Sequence, residues 1–143
     1  MRSNPAMLYP LFALAAWTLV VLVLIPLARV RSVRLREIDT DDFKYGESAN
    51  VPGHVSLPNR NYMNLLELPM LFYVVGIVLY VSGGASYVAI FFAWTYVALR
   101  VVHSLIHLTY NRVIHRLAAF TLSIFVLVVL WVLAGLHLAG AWP

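Results

Sequence analysis

The chain has 143 residues, 62% of them hydrophobic and only 11% charged, and its mean hydropathy is +0.84. Soluble domains are typically ~45–50% apolar and ~25% charged, so the composition excludes an ordinary water-soluble domain and indicates an integral membrane protein. Cysteine is absent, which excludes disulfides, thiolate metal sites and a cysteine nucleophile; the net charge of +4 lies on loops, where it sets topology rather than a surface for nucleic acid.

A helix crossing a bilayer needs ~20 mostly apolar residues. The first such run is 6–28, uncharged, with Pro26 near its end. Its length exceeds the ~7–15 residues of a signal-peptide core, so it reads as a retained span. Residues 29–61 form the one long polar stretch and are expected to be a surface loop. It opens with Arg29, Arg31, Arg34 and Arg36 and continues through Asp39, Asp41, Asp42, Lys44 and Glu47. Gly46, Pro52, Gly53 and Pro58 are expected to break any long helix there, and Pro58 with Asn59 to make a turn. The second span is 62–81, kinked at Pro69. Ser82, Gly83 and Gly84 make an uncharged turn. The third span, 85–108, carries Arg100, His103 and His107 in its second half. A short connection at 111–115 leads to the fourth span, 117–138, which has no charge. Trp142 and Pro143 are expected at an interface. The fold expected is an all-α membrane protein, an antiparallel four-helix transmembrane bundle formed by one domain.

Lysine and arginine bias orients the spans. The first loop holds Arg29, Arg31, Arg34, Arg36, Lys44 and Arg60, and the third holds Arg112 and Arg116. The other side holds Arg2. Loops one and three are therefore expected in the cytoplasm, with both termini opposite.

The polar residues within spans carry the functional signal. Arg60, Asn64 and Glu67 are spaced i, i+4, i+7, on one helix face. Arg100, His103, His107 and Asn111 share a face of the third span, with Tyr96 and Tyr110 near it. In antiparallel spans the two faces meet at equal depth, and Glu67 is the expected counter-ion of Arg100. A buried ion pair that fixes helix register would explain that pair alone. The set is larger than one pair needs, and Arg34, Arg36, Arg60, Arg112 and Arg116 ring the same opening. An excess of guanidinium suits an anionic ligand bearing carboxylates, each held by a two-pronged fork. His103 and His107 at i, i+4 have zinc spacing, but Glu67 is the one further ligand and Arg100 repels a cation. His54, His115 and His137 receive no role.

These residues resemble the MAPEG family, the membrane-associated proteins in eicosanoid and glutathione metabolism. Its Arg-x-x-x-Asn-x-x-Glu pattern near the start of span two stands here as Arg60, Asn64 and Glu67, with Pro69 soon after. Its Val-Arg-Leu-Arg run after span one stands as Val33, Arg34, Leu35 and Arg36. Its prostaglandin E synthase branch carries Arg-x-x-His-x-x-x-Tyr in span three; here Arg100 and His103 match, and His107 replaces the tyrosine. The resemblance covers all four spans. It implies a homotrimer with glutathione between subunits, and transferase, peroxidase or isomerase chemistry on lipophilic substrates in the membrane. By position, Arg34, Arg60, Asn64, Glu67, Arg100 and His103 would hold glutathione, with His107 and Tyr110 completing the set. Arg116, or failing that Arg112, would stabilise the thiolate. Two other readings stand beside it. One is a binding or scaffold protein that keeps the fold without turnover. The other is a small four-span multidrug transporter, whose key glutamate lies in span one, where this chain has no acid.

Overall fold

The computed structural model describes residues 3–141; Arg2, Trp142 and Pro143 lie outside them. Among the described residues every regular element is helical. A single 3-10 turn, Pro5–Met7, leads into α1, Leu8–Arg34. Then come α2, Gly53–Glu67, α3, Pro69–Ser82, α4, Tyr87–Leu108, and α5, Val113–Leu138. Four stretches are long and apolar enough to cross a membrane: Pro5–Arg34, Gly53–Ser82, Tyr87–Leu108 and Val113–Leu138. The protein is therefore an integral, multi-pass membrane protein.

Two boundaries differ from the sequence expectation. First, α1 continues through Arg29, Arg31 and Arg34 instead of stopping at residue 28. Arginine is a good helix former, and a cation in the last turn complements the negative helix end. The helix stops one residue later. Arg36 takes the left-handed conformation (φ 59°), and the N–H groups of Arg36 and Glu37 donate back to the carbonyls of Val33 and Ser32, both at 3.0 Å. That double closure satisfies the orphan carbonyls of the last turn. Second, Pro58 and Asn59 do not form a turn; both lie inside α2, which starts at Gly53. Pro58 has no N–H to offer the His54 carbonyl, but its fixed φ suits a helix. The polar connection thus shrinks to residues 35–52, held by a 3-10 turn at Thr40–Phe43 with Asp39 and Asp42 capping each other's backbone.

Pro69 interrupts the second span, as expected. α2 ends at Glu67 and α3 begins at Pro69, with Leu68 between them. At the far end Gly83 closes α3 in the left-handed region (φ 79°), and the Ser86 hydroxyl accepts from the Ala89 N–H to start α4.

The core forms where the spans meet. α1 packs on α2, α3 and α4, and α5 packs on α3 and α4. Leu14, Val21, Phe72, Val75, Ala93 and Leu130 are among the buried apolar residues. Phe72 stacks on Tyr96 with ring centroids 4.4 Å apart. Gly76 lets α3 approach α1 closely, since a Cβ there would lie 2.7 Å from Leu11 Cδ1. The outer faces are apolar and exposed, including Leu19, Ile77, Phe91 and Val132, as lipid contact requires.

Candidate functional site

α4 is apolar along most of its length, yet one stripe of it is polar and buried. Arg100, His103, Ser104 and His107 repeat at i, i+3, i+4 and i+7, and all four face the bundle interior. A charged or hydrogen-bonding group placed there needs partners from the facing helices.

The opposite wall supplies some of them. The Ser104 hydroxyl donates to Asn61 Oδ1 at 3.1 Å, joining α4 to α2. Arg100, with no exposed surface at all, donates through Nη2 to the backbone carbonyl of Asn64. Asn64 lies one turn before the α2–α3 break, where Pro69 has no N–H to offer the Leu65 carbonyl. The Arg100 Cζ also lies 5.5 Å from the Phe120 ring centroid. Arg100 Nε and Nη1 have no hydrogen-bond partner among the described residues.

The expected Glu67–Arg100 ion pair does not form. Glu67 is exposed on the outside of the bundle, and no ion pair among the described residues includes it. Arg100 meets α2 one turn earlier than Glu67, at the Asn64 carbonyl. Asn61 and Ser104 are buried and were not predicted as partners; their signal was the second amide in the Arg60–Asn64 stretch and a serine on the histidine face.

A cavity of about 330 Å³ opens beside this wall. α2 contributes Arg60 and Asn64, α4 contributes His103 and His107, and α5 contributes Val113, Arg116, Leu117 and Phe120. The lining holds two guanidiniums and two imidazoles at one side, an apolar side, and no acid. His103 Nδ1 lies 3.1 Å from the Arg116 carbonyl. A carbonyl only accepts, so Nδ1 carries the proton and donates. In the neutral ring Nε2 is then an acceptor, and that atom is buried without a partner among the described residues. The two histidine rings are edge-to-face, 5.9 Å apart.

Arg116 is held twice. Its carbonyl accepts from His103, and its Nη1 donates to Asn111 Oδ1 at 3.0 Å. Asn111 stands in the left-handed region (φ 46°) just past α4, which turns the chain back toward α5. Asparagine tolerates this conformation better than most residues.

Of the residues singled out from the sequence, the fold brings Arg60, Asn64, His103, His107 and Arg116 to one cavity and places Arg100 behind its wall. Four others lie elsewhere. Arg112 is exposed at the N-cap of α5 and does not line the cavity. Tyr110 is 56% exposed and its hydroxyl meets His115 Nδ1 at 3.2 Å. Arg34 is exposed near the end of α1, beside Thr40 and Phe43. Glu67 points outward. Phe120 was missed; it packs against both Arg100 and His103, and an aromatic in an uncharged span carries no signal of its own. No group of three His, Asp or Glu residues with metal-ligand geometry occurs among the described residues.

No curated protein and no solved structure matches the chain. A family model, the MAPEG family, matches residues 7–136. That match takes in α1 to α4, α5 but for its last two residues, and every residue lining the cavity, and the chain therefore belongs to the MAPEG family, whose members are membrane proteins of glutathione and eicosanoid metabolism.

Proposed function

We propose that this protein binds glutathione within the membrane and acts as a glutathione transferase or peroxidase on lipophilic electrophiles. The observation that carries the reading is the cavity wall: Arg60, Arg116, His103 and His107 converge there with no acid among them. Glutathione is a tripeptide with two carboxylates, and guanidinium forks hold carboxylates in two places. The apolar side, Val113, Leu117 and Phe120, suits a substrate that arrives from lipid.

Glutathione supplies a thiol, which as the thiolate attacks the electrophile, forming a new bond to sulfur as the leaving group departs. A thiol of pKa ~8.5 is mostly protonated at neutral pH, and a cation beside it favours the anion. Arg116 is the residue proposed for this role, a reading supported by Asn111 and His103, which hold its side chain and backbone at the cavity. Arg60 and Asn64 would hold the ends of the peptide. His107, which stands where the family's synthase branch has tyrosine, would orient the ligand through its ring nitrogens. Arg100 completes the positive field from behind the wall. Arg34 would reach the ligand from a neighbouring subunit.

Assembly as a homotrimer is part of this proposal. A cavity of about 330 Å³ is at the low end of the ~300–1,000 Å³ range of ligand pockets, small for a tripeptide with a second substrate. Glu67 faces outward within a span, where a bare carboxylate is unfavourable unless another subunit covers it. Loops one and three are proposed to be cytoplasmic, from their arginines.

The test is a conjugation assay on protein purified in mild detergent, with glutathione and a general aromatic electrophile, together with calorimetry of glutathione binding. Binding with turnover supports the enzyme. Binding without turnover supports the non-catalytic alternative, which His107 in the tyrosine position favours. No binding sinks the pocket assignment.

A further inference from the structure

We propose that Asn61 and Ser104 are positioning residues of the cavity, whose hydrogen bond holds the α2 wall against the α4 wall at the spacing glutathione needs, an inference that rests on the glutathione reading above. Neither side chain lines the cavity and neither has any exposed surface, so neither touches a ligand there. Each stands beside residues that do. Asn61 follows Arg60 and precedes Asn64 by three positions; Ser104 follows His103 and precedes His107 by three. Arg60 and Asn64 are the α2 lining of the cavity, and His103 and His107 are the α4 lining. The same i, i+1, i+4 spacing thus occurs on both helices, and the middle residue of one donates to the middle residue of the other, Ser104 Oγ to Asn61 Oδ1, at 3.1 Å.

Two side-chain hydrogen bonds join α2 to α4 among the described residues, this one and that from Arg100 to the Asn64 carbonyl. They differ in tolerance. Arginine reaches on a long side chain rich in rotamers and can follow a carbonyl that shifts. Serine and asparagine are short, so their bond forms at one separation and one register, with a strong preference in angle. Apolar packing does not supply that precision. It is non-directional, and in lipid it lacks the hydrophobic drive it has in water.

The pair is also a poor device for stability alone. Asn61 Nδ2 is buried without a partner among the described residues. An apolar pair of the same shape would leave no such group unmet. What the polar pair adds is register, the best-attested use of buried polar groups. A binding constellation must be held to within about 0.5 Å, and the two walls of this one come from different helices.

The experiment uses the full chain in mild detergent, with calorimetry of glutathione binding beside thermal melting. Ser104→Ala should weaken glutathione binding about tenfold, the upper scale of one lost hydrogen bond, and should lower the melting temperature, since the Asn61 amide then has no partner at either end. Adding Asn61→Leu should return the melting temperature toward that of the unaltered chain, because both partners are then apolar. Affinity should stay as low as in Ser104→Ala. Thr95→Ala is the control: this α4 hydroxyl is exposed and donates within its own helix, to the Phe91 carbonyl at 2.9 Å. Its loss should change affinity by less than about twofold. Recovery of affinity together with melting temperature in the double variant would make the pair structural only and overturn the proposal. Unchanged affinity in Ser104→Ala, or an equal loss in Thr95→Ala, would overturn it as well. An unaltered chain that binds no glutathione would overturn the glutathione reading and this inference with it, whereas a binding-competent chain with insensitive variants overturns this inference alone.

Discussion

At the joint between α1 and α2, bases and acids come together. Glu47 meets Arg29, and Glu37 meets Ser32 and His54. At the junction of α2, α4 and α5, Arg60, Arg100 and Arg116 gather with His103 and His107, and no acid lines their cavity. Both regions are rich in cations. The first pairs Arg29 and His54 with acids of its own and ties two helices together. The second leaves N–H groups and ring nitrogens unpartnered among the described residues, in a low-dielectric setting where an unmet polar group is expensive. The anionic ligand proposed above would offset such a set inside the bundle.

The sharpest test of that contrast is the loop-three pair. Arg116 lines the cavity and Arg112 does not, although they stand only four positions apart. Arg116→Ala is expected to lower glutathione conjugation by about a hundredfold, the scale of losing one donor to a developing anion. Arg112→Ala is expected to change the rate by less than about twofold, as for a solvent-exposed surface change. Rates from single-turnover mixing decide it. Equal losses would mean that the opening acts as a diffuse positive field.

The second test concerns Arg100. The side chain is clamped on a backbone carbonyl and not on Glu67. Arg100→Met should destabilise by about 1.5–3 kcal/mol, the value of a hydrogen bond to a charged group. Combined with Glu67→Gln, the losses should add to within about 0.5 kcal/mol, as for residues that do not share a contact. A double variant that recovers stability in a detergent melting assay would restore the ion pair read from the sequence.

Much of the fold was legible, because bilayer thickness imposes a length and a composition that four runs meet. The polar face of α4 was legible too, since helical spacing alone puts Arg100, His103 and His107 together. Other features were hidden for physical reasons. Hydropathy marks where lipid ends, not where a helix ends, so Arg29 to Arg34 read as loop although they continue α1. Pro58 reads as a breaker because its missing N–H is visible in sequence, while its helix-compatible φ within α2 is not. Glu67 was paired with Arg100 because only side chains were considered as acceptors. Arg100 donates instead to the Asn64 backbone carbonyl, and a backbone acceptor has no side-chain signature.

A smaller effect is expected at His107. Its buried Nδ1 has no partner among the described residues, and its ring lines the cavity. His107→Phe keeps an aromatic ring of similar breadth and removes both nitrogens. Glutathione affinity should fall about tenfold or less, the scale of one hydrogen bond, with the rate at saturating glutathione nearly unchanged. Titration calorimetry beside saturation kinetics separates the two quantities. Abolished turnover with intact affinity would give His107 the thiolate role and remove it from Arg116.

The smallest effect belongs to the joint between α1 and α2. The Ser32 hydroxyl, followed by the His54 ring, holds the Glu37 carboxyl below its ordinary value of 4.5. A carboxylate with a lowered pKa stabilises the fold above its unfolded value, and that contribution disappears as pH falls through the folded value. Glu37 is exposed, so solvent screens the interaction and the effect on melting should be slight. Arg31 is the other charge that favours its ionised form. At neutral pH Glu37→Gln should melt slightly below the unaltered chain. As the pH falls through the folded value of Glu37 the two curves should converge, since both side chains are then neutral. A melting difference that survives unchanged in acid would mean that shape, not charge, makes the joint, and that this region differs from the cavity in packing rather than in how it meets its charges.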